Sequence, residues 1–298
     1  MTQKMNQNNN LSVLPFYGSL DEQNHRRSYA YGETYPLYVP LGAVPVFQII
    51  RRHTGASVSG VVMYAFDGTQ VGDIRSALVA AGLTVQQYED DGYDIVIYGN
   101  ITQQNITTAE GRYYLKVTMS DGDVYYSDVF TVTALTDGML SIVWFDIQDL
   151  VMDGCRIAYT NEYGAIIYRN VLWLNTQLGK PDYVFSEEGE NRDGYFFAEK
   201  MISEKTYRCN ILASEYLCDV MRFIRLSDVV RIVDGFGNTY RADTFLITPK
   251  WQDQGDLASV DIEFTCDTVA KKIAHGFVIG EGGDYNDDYN DDYDISNE

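Results

Sequence analysis

The stretch SEKTYRCNILASEYLCDVMRFIRLSDVVRIVDGFGNTYRADTFLITPKW (residues 203–251) carries a helix signal inside a run of strand signals. Ser214 suits a helix N-cap, and Glu215 puts a carboxylate in the first turn, where the helix dipole favours it. One apolar stripe at helical spacing follows, made of Leu217, Val220, Met221 and Ile224. A helix this short is marginal alone in water, so we expect it to pack on a sheet.

The segments on either side predict that sheet. Residues 205–212 alternate and are rich in strand formers, and residues 229–233 and 244–247 predict two further strands. The segment DGFGN at 234–238 is typical of a Gly-rich hairpin turn. The stretch therefore predicts a strand, a short helix and a hairpin, a module built for packing rather than for chemistry.

Residues 46–135 predict a β-sandwich. The Cys–Trp–Cys spacing of immunoglobulin domains is missing, so the predicted likeness to them is limited to the architecture. Turn signals separate short strands at residues 46–51, 61–66, 84–88, 93–98, 111–119 and 124–133. Residues 74–81 suit one short helical turn, which Gly82 ends. The segment SDGD at 120–123 is a strong hairpin signal.

Residues 136–272 predict a second β-rich domain, with its one short α-helix near residues 215–226. Its other predicted strands are residues 140–145, 155–159, 165–174 and 257–266. The acidic residues 178–193 are predicted to be irregular.

Residues 1–45 predict an extended arm. Four of the chain's six prolines lie here among tyrosines. Proline disfavours helices and central strands, while aromatic rings favour burial. Residues 1–55 carry a formal charge of +2 in a chain of net charge −21. The arm either wraps its own domain or docks on an acidic neighbouring subunit. The second alternative predicts an interface formed by Phe16, Tyr17, Arg26, Arg27, Tyr29, Tyr31, Tyr35 and Tyr38.

Residues 273–298 predict an acidic, disordered tail with an Asp/Tyr/Asn repeat of period four. Without residues 281–298 the chain still has a formal net charge of −13. Nucleic acid and anionic membranes are therefore unexpected partners. Asp284, Asn286 and Asp288 alternate as in a calcium loop, but the Gly and the terminal Glu of that loop are missing. The alternatives are a solvated tail, a weak cation site and a tail that binds a basic surface.

The sequence contains no HExxH, GxSxG, GxxxxGK[ST] or GxGxxG motif. The three histidines, His25, His53 and His275, lie at domain margins. The pairs Glu187 with Glu188 and Glu204 with Glu215 fit glycoside chemistry, but acids are too abundant for a pair to be specific. We therefore expect a protein that is not an enzyme, with no catalytic residues, no cofactor and no metal.

The four cysteines, Cys155, Cys209, Cys218 and Cys266, lack CxxC spacing and are interpreted as small buried hydrophobes. A disulfide framework or a zinc site is the alternative. Apolar runs stay shorter than the roughly 18 residues of a membrane span, and the start lacks the apolar region of a secretory signal. We expect a chain that is made and folded in a cytoplasm.

Tyrosine is unusually frequent, with 24 Tyr against 13 Phe. Tyrosine is favoured where a surface meets another protein or a sugar. Two functions fit: assembly with other subunits, or carbohydrate binding in which Trp173 or Trp251 stacks on sugar rings. A Tyr-rich strand composition with no function attached is the third alternative.

Six short sequence segments occur together: PVFQI (45–49), GRYYLK (111–116), YYSDVF (125–130), SEKTYR (203–208), WQDQGDL (251–257) and DTVAKK (267–272). This combination resembles structural proteins of tailed bacteriophages that infect Bacteroidales, including the crAss-like group, over residues 12–272. The resemblance implies a virion component of the tail, ring or baseplate that is present in many copies. It implies assembly in the host cytoplasm with copies of itself and other virion proteins, and it implies no catalytic residues.

Together these observations predict a mainly β protein with two β-rich domains, an extended N-terminal arm and an acidic tail. The expected function is that of a non-enzymatic virion structural protein that forms an oligomeric layer through its arm and its Tyr-rich surfaces. The alternative is a carbohydrate- or receptor-binding module on a phage tail or a cell surface.

Overall fold

Strands dominate the computed structural model, which confirms the mainly β fold class. The structure describes residues 12–21, 37–88, 92–99, 106–107, 109–134, 139–145, 151–152, 155–156, 169–192, 194–251 and 257–272. The chain divides into two compact units, residues 1–183 with 205–267 and residues 184–204 with 268–298. The predicted boundary after residue 135 lies inside the first unit, and the two-domain division stays a prediction.

The first half of the chain forms ten strands and one helix that the structure describes. They are β1 (Phe16–Tyr17), β2 (Tyr38–Pro40), β3 (Phe47–Arg52), β4 (Val58–Ala65), β5 (Gln70–Asp73), α1 (Arg75–Ala80), β6 (Thr84–Tyr88), β7 (Tyr93–Tyr98), β8 (Gly111–Met119), β9 (Val124–Ser127) and β10 (Phe130–Thr133). Strands β3, β7 and β6 form a three-stranded sheet. The others belong to a large sheet, and the rings of Phe16 and Phe47, with centroids 4.9 Å apart, join the two sheets.

The predicted strand 124–133 is interrupted at Asp128. The Leu115 N–H donates to Ser127 Oγ at 2.8 Å, and the Val129 N–H donates to the Asp128 carboxylate at 2.7 Å. Side chains thus replace backbone partners at this point. As a result, β9 and β10 pair with successive parts of β8 as two short strands. The predicted turn is confirmed, with Gly122 at φ 95°.

Two parts of the predicted arm are strands of the chain's own sheet. β1 pairs antiparallel with β9, and β2 pairs parallel with β10. Val39 in β2 and Leu37 directly before it are buried in the core. In these parts the arm follows the alternative in which it wraps its own domain. Residues 1–11 and 22–36 lie outside the described residues.

The second half continues the large sheet. Its elements are β11 (Met139–Phe145), β12 (Val151–Met152), β13 (Cys155–Arg156), β14 (Asn170–Asn175), β15 (Asp182–Arg192), β16 (Tyr195–Ser214), α2 (Glu215–Arg222), a 3-10 helix (Ile224–Leu226), β17 (Val229–Val233), β18 (Thr239–Lys250) and β19 (Leu257–Lys272). From β2 onward the strand order is β14, β11, β17, β18, β19, β16, β15, while β12 and β13 pair separately. No described helix is long and apolar enough to cross a membrane.

The opening stretch folds as predicted. The Leu217 N–H donates to Ser214 Oγ at 3.3 Å, which is the expected N-cap of α2. The stripe of Leu217, Val220, Met221 and Ile224 is buried. In the turn after β17, the Asp234 carboxylate accepts from the N–H groups of Phe236 and Asn238, and Gly237 has φ 85°.

The irregular conformation predicted for residues 178–193 holds at residues 178–181 and is wrong for residues 182–192. Strand β15 covers Asp182–Arg192 and pairs with β16. Acidic side chains and Gly189 interrupt the apolar alternation, so the local pattern is weak. The neighbouring strand β16 supplies the backbone hydrogen-bond partners, and the local sequence alone does not indicate this pairing.

Candidate functional site

Exposed aromatic side chains mark residues 184–204, the segment of β15 and β16 in the second unit that we call the acidic hairpin. Phe185 is 74% exposed, Tyr195 73% and Phe196 52%. Val184 and Met201 are also exposed. Several large apolar side chains in solvent within one short segment indicate an interaction surface.

Both faces of the acidic hairpin carry these side chains. Val184 and Phe185 are consecutive in β15, and Tyr195 and Phe196 are consecutive in β16. Consecutive strand residues point to opposite faces. A partner that covers either face would remove these side chains from water and so stabilise the segment.

Strand β15 also lies at one end of the large sheet's strand order. An edge strand presents N–H and C=O groups that another chain can pair with. Proteins commonly protect such edges with charged side chains, and β15 carries Glu187, Glu188 and Glu190, all exposed. The edge is therefore suited to a partner that neutralises carboxylates.

The acidic hairpin contains six acids and two bases. Lys200 Nζ lies 3.5 Å from a Glu188 carboxylate oxygen, and Glu188 is well exposed. A surface pair of this kind contributes little to stability. The segment carries a formal charge of −4, and its surface fits a partner that offers apolar area together with positive charge.

The structure separates the interface residues predicted for the arm. Phe16 and Tyr17 are buried in the chain's own core, and the Tyr17 hydroxyl donates to the Asp128 carboxylate at 3.3 Å. An interface role is therefore not assigned to these two. Tyr38 is half-buried in β2. The remaining members lie outside the described residues, and their role stays a prediction: Arg26, Arg27, Tyr29, Tyr31 and Tyr35.

Arg51, one of the bases that made the first 55 residues slightly basic, is buried and paired. Its Nη2 donates to the carboxylates of Asp121 and Asp123, the latter at 2.9 Å. The hydrogen bond from Arg51, helped by one from Thr54, lowers the pKa of Asp121 to about 2. This pair ties β3 to the β8–β9 turn. The Arg51 charge is paired with these two carboxylates of the chain, so Arg51 does not add to a basic surface of the first 55 residues.

His53 and Asp94 form the second polar pair of the sandwich. His53 Nδ1 lies 2.6 Å from the Asp94 carboxylate, which also accepts from the Thr54 N–H at 3.0 Å. Burial would raise the pKa of Asp94, but the hydrogen bonds from Thr54 and His53 outweigh it, and the pKa lies below its ordinary value. The pair fastens the end of β3 to β7.

Three cysteines are confirmed as free and buried: Cys209, Cys218 and Cys266. Burial raises the pKa of Cys209 to about 12 and that of Cys266 to about 11. Such thiols are poor nucleophiles and metal ligands at neutral pH. The side chain of Cys155 lies outside the described residues.

The two tryptophans proposed for sugar stacking differ in their exposure to solvent. Trp173 is 8% exposed and belongs to the core, so it is not available to a sugar. Trp251 is 48% exposed and keeps an accessible ring.

The acid pair Glu187 and Glu188 is consecutive in β15, so the two carboxylates point to opposite faces and do not converge. Glu204 lies in β16 and Glu215 in the first turn of α2. Among the described residues, no group of three or more His, Cys, Asp or Glu side chains could hold a metal ion. The calcium-like residues Asp284, Asn286 and Asp288 lie outside them.

Sequence reasoning missed the acidic hairpin, although its signal was present. Two pairs of large apolar residues, Val184–Phe185 and Tyr195–Phe196, flank an acidic segment that ends in Gly194. In a half-buried strand one residue of each pair would be polar. Pairs of this kind on either side of a turn indicate a ribbon with two apolar faces.

No family model matches this chain, and no curated protein does either. Among solved structures, it is similar to a chain of "Crystal structure of the titin domains z1z2 in complex with telethonin". The identity is 16% over 59% of this chain and 86% of that chain, with a TM-score of 0.16. Similarity at this level carries no argument about fold or function.

Proposed function

We propose that this protein is a non-enzymatic structural component of a tailed-bacteriophage virion and assembles into an oligomeric tail, ring or baseplate layer. The observation that carries the proposal is the acidic hairpin, whose aromatic side chains are exposed on both faces. The resemblance of residues 12–272 to virion proteins of phages of Bacteroidales agrees with it. The partners are copies of the chain and other virion proteins, and the location is the virion.

Three exposed rings would supply free energy for assembly. Complete burial of a large apolar side chain contributes about 1.5–3 kcal/mol. Phe185, Tyr195 and Phe196 each keep more than half of this area in solvent. Covering them contributes several kcal/mol, enough to offset part of the cost of ordering two chains.

Negative-stain electron microscopy of the purified full chain tests the proposal. We expect closed oligomers of uniform diameter. Fields that contain only particles of single-chain size would contradict the assembly role. Gold-labelled antibodies against the chain are expected to decorate one level of the tail of purified virions, and unlabelled virions would contradict the virion role alone.

Exposed Trp251 favours carbohydrate or receptor binding as the second candidate function. Aromatic rings of this kind stack on the apolar faces of sugars. A glycan array probed with the wild type and with Trp251→Ala tests it. Binding that the substitution abolishes would support this candidate, and an array without any bound glycan would contradict it.

A further inference from the structure

Two arginines face each other on neighbouring strands of the first unit. Arg231 of β17 is in register with Arg241 of β18, and both are exposed. Residues directly opposite on antiparallel strands project to the same side, where like charges are destabilising. An anionic partner that contacts both guanidinium groups would relieve this repulsion.

Two further arginines lie beside this pair. The guanidinium carbons of Arg169 and Arg231 lie 5.3 and 5.8 Å from the centroid of the Phe145 ring. Arg225 and Arg241 line one surface pocket. We name these four residues, Arg169, Arg225, Arg231 and Arg241, the arginine surface.

Two carboxylates, Asp228 and Asp243, line the same pocket as Arg225 and Arg241. In this pocket the two arginines and the two carboxylates are equal in number, and the excess of arginines on the arginine surface comes from Arg169 and Arg231. The chain as a whole has 22 bases against 43 acids, so a surface with four arginines and two carboxylates departs from the chain's average composition. Local positive charge of this kind steers and orients an acidic partner.

We propose that the arginine surface of one copy binds the acidic hairpin of a neighbouring copy. This inference rests on the proposed assembly and names the two surfaces that meet in it. On one face of β15 the hairpin offers the Phe185 ring and the Glu187 carboxylate, because residues i and i+2 of a strand share a face. Arginine suits both, because its guanidinium group pairs with carboxylates in a bidentate manner and stacks on aromatic faces.

The two surfaces consist of different residues, so the contact is heterologous. Each copy then offers one acidic hairpin and one arginine surface, and copies join head to tail. A heterologous contact produces a ring when its rotation closes and a filament when it does not. The proposed contact therefore accounts for a closed layer built from one kind of subunit.

Charge reversal tests the contact on the full chain. The first variant is Arg231→Glu with Arg241→Glu. It replaces one like-charged pair by another at the same register, so the repulsion between β17 and β18 is kept rather than added. The second is Glu187→Lys with Glu188→Lys, at exposed positions of β15. Each variant alone is expected to lose at least about tenfold in self-association, because like charges then meet across the contact. Sedimentation velocity measures the association constant.

An equimolar mixture of the two variants is expected to regain association. The acidic hairpin of the first then meets the intact arginines of the second, and the lysines of the second meet the new glutamates of the first. Arg52→Glu, an exposed arginine at the end of β3, is the matched control and is expected to associate like the wild type.

The outcomes separate this inference from the proposed function. A wild type that associates while both variants associate equally well would overturn the pairing and leave the assembly role standing. Two impaired variants that do not restore each other would also overturn it. A wild type that stays monomeric would overturn both. Binding of a fluorescent oligonucleotide that Arg231→Glu with Arg241→Glu abolishes would assign the arginine surface to nucleic acid instead.

Discussion

Truncating two rings of the acidic hairpin, Phe185→Ala together with Tyr195→Ala, separates assembly from folding. The side chains are 74% and 73% exposed, so each substitution is expected to change the free energy of unfolding by no more than about 0.5 kcal/mol. If a neighbouring copy covers both rings, each truncation costs roughly 1–2 kcal/mol of association free energy, a part of the value for complete burial. A total of about 3 kcal/mol corresponds to a roughly 100-fold weaker association.

Sedimentation equilibrium gives the association constant of this variant, and urea unfolding gives its stability. Phe236→Ala is the matched control, because Phe236 is 79% exposed in the turn after β17. We expect wild-type association for the control. An unchanged association constant in the double variant, or an equal loss in the control, would refute the assignment of the contact to the hairpin.

Four further predictions concern helix stability, pH dependence, thiol reactivity and the effect of Trp251 on self-association. Ser214→Ala removes the N-cap of α2 and is expected to lower the unfolding free energy by about 1 kcal/mol in urea titrations, with Ser214→Asp restoring it. Because the pKa of Asp121 is lowered from 3.8 to about 2, its stabilising effect is complete above pH 4 and is lost as the pH falls to about 2; Asp121→Asn should flatten the stability–pH curve in that window. Cys209 and Cys266 are expected to resist iodoacetamide in the native protein and to react in urea, as mass spectrometry would show. Trp251→Ala is expected to leave self-association unchanged in sedimentation runs, since that ring lies outside both proposed surfaces.

Local signals explain how well the opening stretch could be predicted. The Ser214 cap and the stripe that begins at Leu217 act within a few residues of the chain, and the structure shows both. The turn at 234–238 is equally local. Strand β15 depends instead on pairing with β16. Its acidic sequence has only a weak strand pattern, so the strand could not be predicted from local residues.

The candidate surfaces required information that a linear pattern does not contain. The sequence shows that Phe185 is apolar but not whether its side chain packs in a core or stays in solvent. Only the structure gives its exposure. Arg231 and Arg241 become neighbours only through the register of β17 and β18. The sequence does not place Phe16 and Tyr17, because aromatic residues next to a proline suit both a free arm and a short edge strand.

The native mass of the purified wild-type chain, measured by mass photometry over a range of concentrations, tests the central claim most directly. The chain has a mass of 33.8 kDa. We predict a defined multiple of this mass that falls apart as the salt concentration rises, because charge pairing contributes to the contact. A single species of 33.8 kDa at every concentration would contradict the claim that this protein works by binding its own copies.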